Sequence, residues 1–366
     1  MKNFLNFFVL IILIFPINIF AQNINSYNIN ANLNSESKTL EINQIMKFKN
    51  TSDISLKEII LEDWSNSYVD NRTNLAKRIS DEYSRSFSFA KKKQRGSTKI
   101  KTINSVYIDS WRRSSNTSDI IEVHLNKSLK PGESIELEIN YTVKLPDSKF
   151  TGYGFDNDNF YLKNWLIVFS NISNSNWYSQ SNLNLDDQSL QKSGYKLKIS
   201  FDKDYYLFSN LIKNNTEVIN NLKSVSLSGS GIKDVRINLL IEEKYKRFQN
   251  NKNEIETDIF KSSSLEDAEI KVDRVNNFVK DYFNDHSNIK LLVPKIDYDS
   301  NPFYGLNQLP SFISPFSDEF LEEIIFLKSF VINYLNQKIR ALITEYLITV
   351  WYRVFGIVQT GLQKQV

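Results

Sequence analysis

Apolar and polar residues alternate with a period of two through most of the first half of the chain. Two such runs, Ser26–Asn34 (SYNINANLN) and Leu40–Asn50 (LEINQIMKFKN), flank a polar turn and predict a β-hairpin. Further alternating runs predict strands at Leu56–Trp64, Ile120–Asn126, Ser134–Leu145, Tyr195–Phe201 and Lys223–Ser230. A single stretch, Asn74–Ala90, has helical spacing. Because so few helical patterns separate the strands, we expect sheets packed as a sandwich or saddle.

The periodicity changes after Val235–Phe248, which is predicted to be one more strand. The elements predicted after it are a helix, a buried strand, a long loop and a second helix, at Ser264–Asp285, Ile289–Pro294, Lys295–Pro315 and Phe316–Gln337. Ser264 occupies a helix-capping position and acidic residues follow in the next turn. The chain is therefore predicted to be mainly β and then α/β, with a β-rich domain at 22–231 and a second domain at 232–366.

The first 21 residues have the pattern of a signal peptide. Lys2 provides a positive charge, Phe4–Phe20 forms an apolar core, and Ala21 is a small residue suited to cleavage. An uncleaved membrane anchor is the alternative, but Pro16 interrupts an apolar run of only about 17 residues, at the short end for a membrane span. We therefore expect an exported protein, periplasmic or extracellular, without a stable membrane anchor after cleavage.

Composition restricts the classes of function. A net charge of +3 over 366 residues provides no strong field, so a nucleic-acid partner is not expected. The chain contains no cysteine, so its stability must come from a hydrophobic core rather than from disulfides. The densest basic run, Ala90–Lys101 (AKKKQRGSTKIK), is predicted to be a solvated loop. The aromatic stretch Gly152–Trp165 is predicted to pack between sheets, with its glycines turning the chain.

Three segments, in this order along the chain, carry a resemblance to a known family. They are Tyr27–Trp64 (with NTSDISLKEIILEDW), Ile120–Pro146 (with LKPGES) and Trp177–Leu211 (with the LFSNL turn). Together they resemble the first strands of the aminopeptidase N family of gluzincin zinc metallopeptidases. The resemblance implies a β-sandwich or saddle N-terminal domain followed by a thermolysin-like (zincin) catalytic domain, here truncated and degenerate.

The family's catalytic domain carries a Gly-x-Met-Glu-Asn loop and then a helix with the zinc-binding His-Glu-x-x-His motif. By resemblance, the loop corresponds to Phe303–Pro310, which lacks the substrate-anchoring glutamate. The resemblance implies that a substrate groove here would be lined by Tyr304, Gly305, Asn307 and Gln308. The helix corresponds to Phe320–Leu335, which contains no histidine. The prediction is therefore no catalytic residue, no metal ligand and no zinc cofactor.

The remaining candidates for metal chemistry are the two histidines and a pair of acids. A catalytic zinc needs three protein ligands and an open position for water. His124 lies on the polar face of a predicted strand, and His286 follows a helix end, where an imidazole interacts favourably with the last carbonyls. Glu322 and Glu323 are predicted to be first-turn acids favoured by the helix dipole. None of these residues is predicted to bind a metal.

These observations predict an exported aminopeptidase-like protein that is non-catalytic and binds extended peptides. Two alternatives remain open: a fragment of an active zinc aminopeptidase, and a structural β-sandwich protein of the cell envelope. The tail after Gln337 is compatible both with a frameshifted truncation and with a native C-terminal helix.

Overall fold

The computed structural model describes residues 25–338 apart from 82–83, 174, 186–189, 251–252, 285–287 and 301–316. The predicted signal peptide and the tail after residue 338 lie outside the described residues. Strands dominate the described part, which confirms the mainly β prediction. Within these ranges, no helix combines the length and apolar character needed to cross a membrane.

Strands and helices are numbered here in chain order. The strands are β1 (Ser26–Asn34), β2 (Thr39–Lys49), β3 (Leu56–Glu62), β4 (Ser97–Asn104), β5 (Ile108–Arg113), β6 (Ile120–Leu129), β7 (Ser134–Lys144), β8 (Gly154–Asp156), β9 (Asn159–Leu162), β10 (Val168–Phe169), β11 (Asn171–Ser173), β12 (Asn176–Tyr178), β13 (Ser193–Asp202), β14 (Tyr206–Ser209), β15 (Ile212–Ile219), β16 (Leu222–Ile232), β17 (Ile237–Leu240), β18 (Lys246–Asn250), β19 (Asn253–Thr257) and β20 (Lys290–Val293). The α-helices are α1 (Asn74–Asp81), α2 (Leu265–Phe283), α3 (Lys295–Asp299) and α4 (Asp318–Lys338). Short 3₁₀ turns occur at Trp64–Tyr68, Lys92–Gln94 and Ser148–Phe150.

The largest sheet has seven strands in the order β15-β16-β13-β1-β2-β7-β4. The predicted hairpin is confirmed, because β1 and β2 pair antiparallel over the full length of β1. β1 pairs with β13 in parallel, and the other neighbours pair antiparallel. Along β1 every second residue is buried, from Tyr27 to Leu33, so one face of the sheet covers the core and the other is solvated.

A two-stranded sheet, β11-β12, and two four-stranded sheets complete the β-rich part. The two larger ones differ in strand order. One has the order β10-β3-β6-β5 and the other the order β14-β17-β9-β8. One hydrophobic core contains Ile29 of the seven-stranded sheet, Val123 of the first four-stranded sheet and Phe160 of the second. The three sheets therefore share one core, as expected for packed sheets.

The aromatic stretch is confirmed as core. Tyr153, Phe160 and Trp165 are buried, with exposed fractions of 2% or less. Gly152 and Gly154 have φ angles of +76° and +120°, a region where a side chain is strained. The two glycines therefore turn the chain and allow the aromatic rings to point inward.

A second core forms between the sheet β18-β19-β20 and the helices α2 and α4. It contains Val272 of α2, Leu291 of β20, and Phe326 and Phe330 of α4. Helix α2 begins where predicted, because the Ser264 hydroxyl accepts a hydrogen bond of 3.1 Å from the amide of Asp267.

Two predicted elements are wrong in their extent. Helix α1 ends at Asp81 rather than at Ala90, and residues 86–89 form a turn. Serine hydroxyls after the helix hydrogen-bond locally, as Ser84 does with Ser86, and so compete with helix formation. The predicted single strand Val235–Phe248 is two strands, β17 and β18, in different sheets. Its two ends are buried in different cores, and the exposed residues 241–244 cross between them.

Two predicted loops contain regular structure. The basic run Ala90–Lys101 contains a 3₁₀ turn and the first part of β4. This strand buries Thr98 and keeps Lys99 and Lys101 exposed, so the charges do not prevent pairing with β7. The predicted loop Lys295–Pro315 begins with helix α3, which Pro294 precedes at the N-cap position.

Candidate functional site

The predicted groove residues Tyr304, Gly305, Asn307 and Gln308 lie outside the described residues. The segment that carries them is preceded by α3 and followed by α4. The part of the candidate site that the structure describes is therefore the surface against which α3 and α4 pack.

A buried ionic cluster joins α3 and α4 to the sheet β14-β17-β9-β8. The guanidinium of Arg236, next to the start of β17, donates to the carboxylate of Asp297 on α3. It also donates to Asn333 Oδ1 on α4 at 2.5 Å. Lys163 Nζ lies 3.4 Å from Asp297 Oδ1, and Asp234 Oδ2 lies 3.5 Å from Arg236 Nε. Arg236 is only 7% exposed, so these charges are compensated inside the protein.

The pKa values of the two acids in this cluster, Asp297 and Asp234, shift in opposite directions. Burial acts to raise the pKa of Asp297, but Arg236 and Lys163 outweigh it and hold that pKa below its usual range. Burial raises the pKa of Asp234, and the attraction of Arg236 offsets this only in part. Asp297 is thus the charged partner of the two cations, and the cluster clamps α3 to the sheet.

The space beside this clamp is nearly filled. A cavity lined by Tyr161, Lys163, Arg236, Leu292 and Asp297 has a volume of about 10 Å³. One water molecule needs roughly 10–15 Å³. The clamp therefore leaves no room for a peptide side chain, and its charges serve packing rather than binding.

The carboxylate of Glu322 on α4 is held by three consecutive backbone amides. Glu322 Oε1 accepts hydrogen bonds from the amides of Lys261 (2.7 Å) and Ser262 (2.6 Å). Oε2 accepts from the amide and the hydroxyl of Ser263, at 3.1 and 2.8 Å. Burial acts to raise the pKa of Glu322, but the donors at Ser262, Ser263 and Lys261 outweigh it and lower that pKa. This acid fastens α4 to the segment that enters α2.

The prediction that Glu322 and Glu323 are first-turn acids is wrong. The first turn of α4 carries Asp318 and Glu319 instead, because the helix begins at Asp318. Glu323 lies 2.8 Å from the guanidinium of Arg274 on α2, so it forms a salt bridge between the two helices. No signal in the sequence identified the amides of Lys261, Ser262 and Ser263 as partners of Glu322, because every non-proline residue has a backbone amide.

The histidines do not come together with these acids. His124 lies on β6, paired with Ser110 of β5 and Glu58 of β3, and its side chain is 37% exposed, which confirms the predicted solvent-facing position. Its Nδ1 lies 3.9 Å from Glu58 Oε2. His286 lies outside the described residues. Among the residues that the structure describes, no group of three or more His, Cys, Asp or Glu side chains is arranged to hold a metal ion.

The residues on α4 do not fit a zinc site of the kind that the family uses. The helix has no histidine, and both of its adjacent acids are engaged with groups that hold the fold together. Zinc requires several ligands converging on one point. The side chains of α4 therefore do not provide the converging ligands that a catalytic zinc needs.

No protein-family model matches the chain, and no curated protein matches it. Among solved structures, it is similar to an M1 zinc metallopeptidase from Deinococcus radiodurans at 10% identity, with a TM-score of 0.47, covering 74% of this chain and 55% of that one. A mutant of that enzyme bound to a Tyr-Ser-Ala substrate has 11% identity and a TM-score of 0.46, covering 75% of this chain and 57% of that one. The chain thus spans little more than half the length of these metallopeptidases.

Proposed function

We propose that this protein is an exported, aminopeptidase-like protein that does not catalyse zinc-dependent hydrolysis and that binds extended peptides. The observation that carries the proposal is that Glu322 and Glu323 of α4 are committed to packing. By sequence resemblance α4 takes the place of the ligand helix, yet Glu322 is saturated by the amides of Lys261, Ser262 and Ser263. A saturated carboxylate cannot also activate water.

The chemistry of peptide hydrolysis supports the non-catalytic part. Activating water near neutral pH requires a metal that lowers the pKa of the water by many units. That metal requires ligands on α4 or near it, and the chain has only two histidines in all, one of which, His124, lies in the β-rich part. Without metal ligands, the protein can bind a peptide but cannot hydrolyse it.

Backbone geometry supports the peptide-binding part. In the described residues β20 is an end strand of the sheet β18-β19-β20. It leads through Pro294 into α3 and the segment that carries Asn307 and Gln308. An extended peptide that pairs with an open strand edge gains main-chain hydrogen bonds and needs no metal.

The test combines metal analysis with peptide binding. We expect less than a tenth of a zinc per chain after incubation with zinc and gel filtration, and no hydrolysis of aminoacyl-amide substrates. A fluorescein-labelled penta-alanine peptide should bind, and Asn307→Ala with Gln308→Ala should weaken its binding at least fivefold. Asn214→Ala with Asn215→Ala, two exposed positions on β15, is the matched control. One zinc per chain together with chelator-sensitive activity would overturn the non-catalytic part of the proposal.

Export is tested separately. The predicted cleavage after Ala21 should give a mature protein that begins at Gln22. Mass spectrometry of the exported protein identifies its N-terminus. Recovery of the intact chain from the cytoplasm, with Met1–Ala21 still attached, would contradict this part.

A further inference from the structure

A second surface, remote from α4, has the properties of a docking groove. Consecutive strands β4 and β5 end two different sheets, β4 at the edge of the seven-stranded sheet and β5 at the edge of β10-β3-β6-β5. Only a short turn joins them. Within the described residues no strand pairs with the outer edge of either one. Both sheets of the sandwich are therefore open on the same flank.

The groove at this flank has a volume of about 850 Å³ and an apolar wall. Val106, at the turn between β4 and β5, is 83% exposed, and Trp111 on β5 is 37% exposed. Tyr107 and Ile108 line the wall between them. Large side chains exposed beside an open strand edge mark surfaces that bind another polypeptide.

The groove is also acidic. Asp109 of β5 and Glu136 and Glu138 of β7 line it, and no Lys, Arg or His lines it with them. In the described part of the chain none of these three acids forms an ion pair. Their hydrogen bonds are neutral ones, from the hydroxyl of Ser110 to Asp109 (3.3 Å) and from the amide of Asn43 to Glu138 (2.9 Å).

Several cations that the structure describes lie near the groove without pairing with its acids. Arg112 and Arg113 of β5 form ion pairs with Glu122 and Asp63 instead. Lys47 of β2 is the register partner of Glu136, but no ion pair joins them. Lys127 of β6 places its ammonium group 5.6 Å from the ring centre of Tyr107. The groove thus keeps a net negative charge and suits a basic partner.

The edge strand β5 can also pair with the backbone of an extended peptide. A bulge between Ile108 and Ser110 interrupts the pairing of β5 with β6, and from Ser110 to Arg113 the pairing is regular. Four residues of regular open edge are enough to pair with a short extended segment. A strand added there directs successive side chains to opposite faces, so alternate residues meet different walls of the groove.

We propose that this groove docks an extended segment of a partner protein in which Lys or Arg residues alternate with apolar residues. The apolar side chains contact Val106 and Trp111, the basic ones reach Glu136 and Glu138, and the backbone pairs with β5. Charge selects the class of partner: an acidic peptide is repelled, and a neutral sugar gains no charge attraction from the three carboxylates. This proposal is independent of peptide binding next to α4.

Fluorescence anisotropy of the full chain with labelled decapeptides tests the proposal. The probe is (Lys-Val)₅, and (Lys-Ser)₅ has the same charge without the apolar side chains. The groove variant combines Asp109→Asn, Glu136→Gln and Glu138→Gln. The control variant removes three exposed acids elsewhere by Glu36→Gln, Asp53→Asn and Glu243→Gln.

We expect (Lys-Val)₅ to bind the groove variant at least tenfold more weakly than the wild type. Its affinity for the control variant should stay within twofold of its affinity for the wild type. N-methylation of alternate peptide bonds of (Lys-Val)₅ should weaken binding at least tenfold, because it removes the donors that strand pairing needs. Circular dichroism establishes that the variants remain folded.

Three results would each overturn the proposal. Equal affinity for (Lys-Val)₅ and (Lys-Ser)₅ would mean nonspecific charge attraction. Displacement of the probe by cellohexaose would mean a sugar-binding surface. A dimer in sedimentation equilibrium that the groove variant abolishes would mean that a second copy of the chain occupies this flank. Because Asn307 and Gln308 are unchanged in every variant, failure here leaves the peptide site next to α4 untouched.

Discussion

Replacement of Glu322 tests the most specific structural claim about α4. Its carboxylate is 7% exposed and accepts four hydrogen bonds from Lys261, Ser262 and Ser263. In Glu322→Ala the three amides lose their acceptor, while in Glu322→Gln the side chain keeps its size but turns an amide group toward N–H donors. Glu323→Gln is a matched control, because it alters the adjacent residue of the same type on the same helix.

The magnitude follows from the hydrogen bonds. A hydrogen bond to a charged group contributes about 1.5–3 kcal/mol, but burial of the carboxylate offsets part of the sum. We expect Glu322→Ala to lower the free energy of unfolding by about 3–5 kcal/mol and Glu322→Gln by about 2–3 kcal/mol. Glu323→Gln should cost less than about 1 kcal/mol, since its partner Arg274 is largely exposed.

The contribution of Glu322 to the free energy of unfolding changes with pH in a defined direction. A carboxyl whose pKa is lower in the folded state than in the unfolded state stabilises the fold above the unfolded pKa. That stability is lost as the pH falls through the folded pKa. Because the pKa of Glu322 is lowered, the stability difference between wild type and Glu322→Gln should be greatest above the unfolded pKa of about 4.3 and should shrink as the pH falls through the lower folded pKa.

Urea unfolding followed by tryptophan fluorescence measures these differences by linear extrapolation. A loss for Glu322→Ala no larger than the loss for Glu323→Gln would show that the Glu322 carboxylate does not hold α4 in place. A Glu322→Gln difference that grows as the pH falls would show that the carboxylate is destabilising in the fold.

Two further predictions use the same unfolding assay. Asp297→Asn leaves the buried guanidinium of Arg236 without its main counter-charge and should cost about 3–5 kcal/mol; a loss below about 1 kcal/mol would show that the clamp is not ionic. Gly154→Ala should cost at least about 1–3 kcal/mol, because φ is +120° and an added Cβ would lie 1.9 Å from the carbonyl oxygen of Pro146. Gly194→Ala, where the nearest atom would be 4.0 Å away, should change stability little, and equal effects at the two glycines would contradict the strain argument.

Local pattern in the sequence determined the elements of this fold. Alternation of apolar and polar residues predicted β1, β2 and β7, because a strand with one buried face imposes a period of two on its own residues. The cap at Ser264 predicted where α2 begins, since a capping hydroxyl bonds an amide only three residues away. The absence of histidine from α4 was also visible in the sequence alone.

Pairing between distant segments was decided only by the tertiary structure. Glu322 and Glu323 are neighbours of identical type, yet one is saturated by amides about sixty residues earlier in the chain and the other bonds Arg274 on a different helix. The run Val235–Phe248 was predicted to be one strand, but its two ends belong to different cores. A periodic pattern records only which side of a segment is buried. The partner that buries it, and the charge that it meets there, depend on how all the segments pack together.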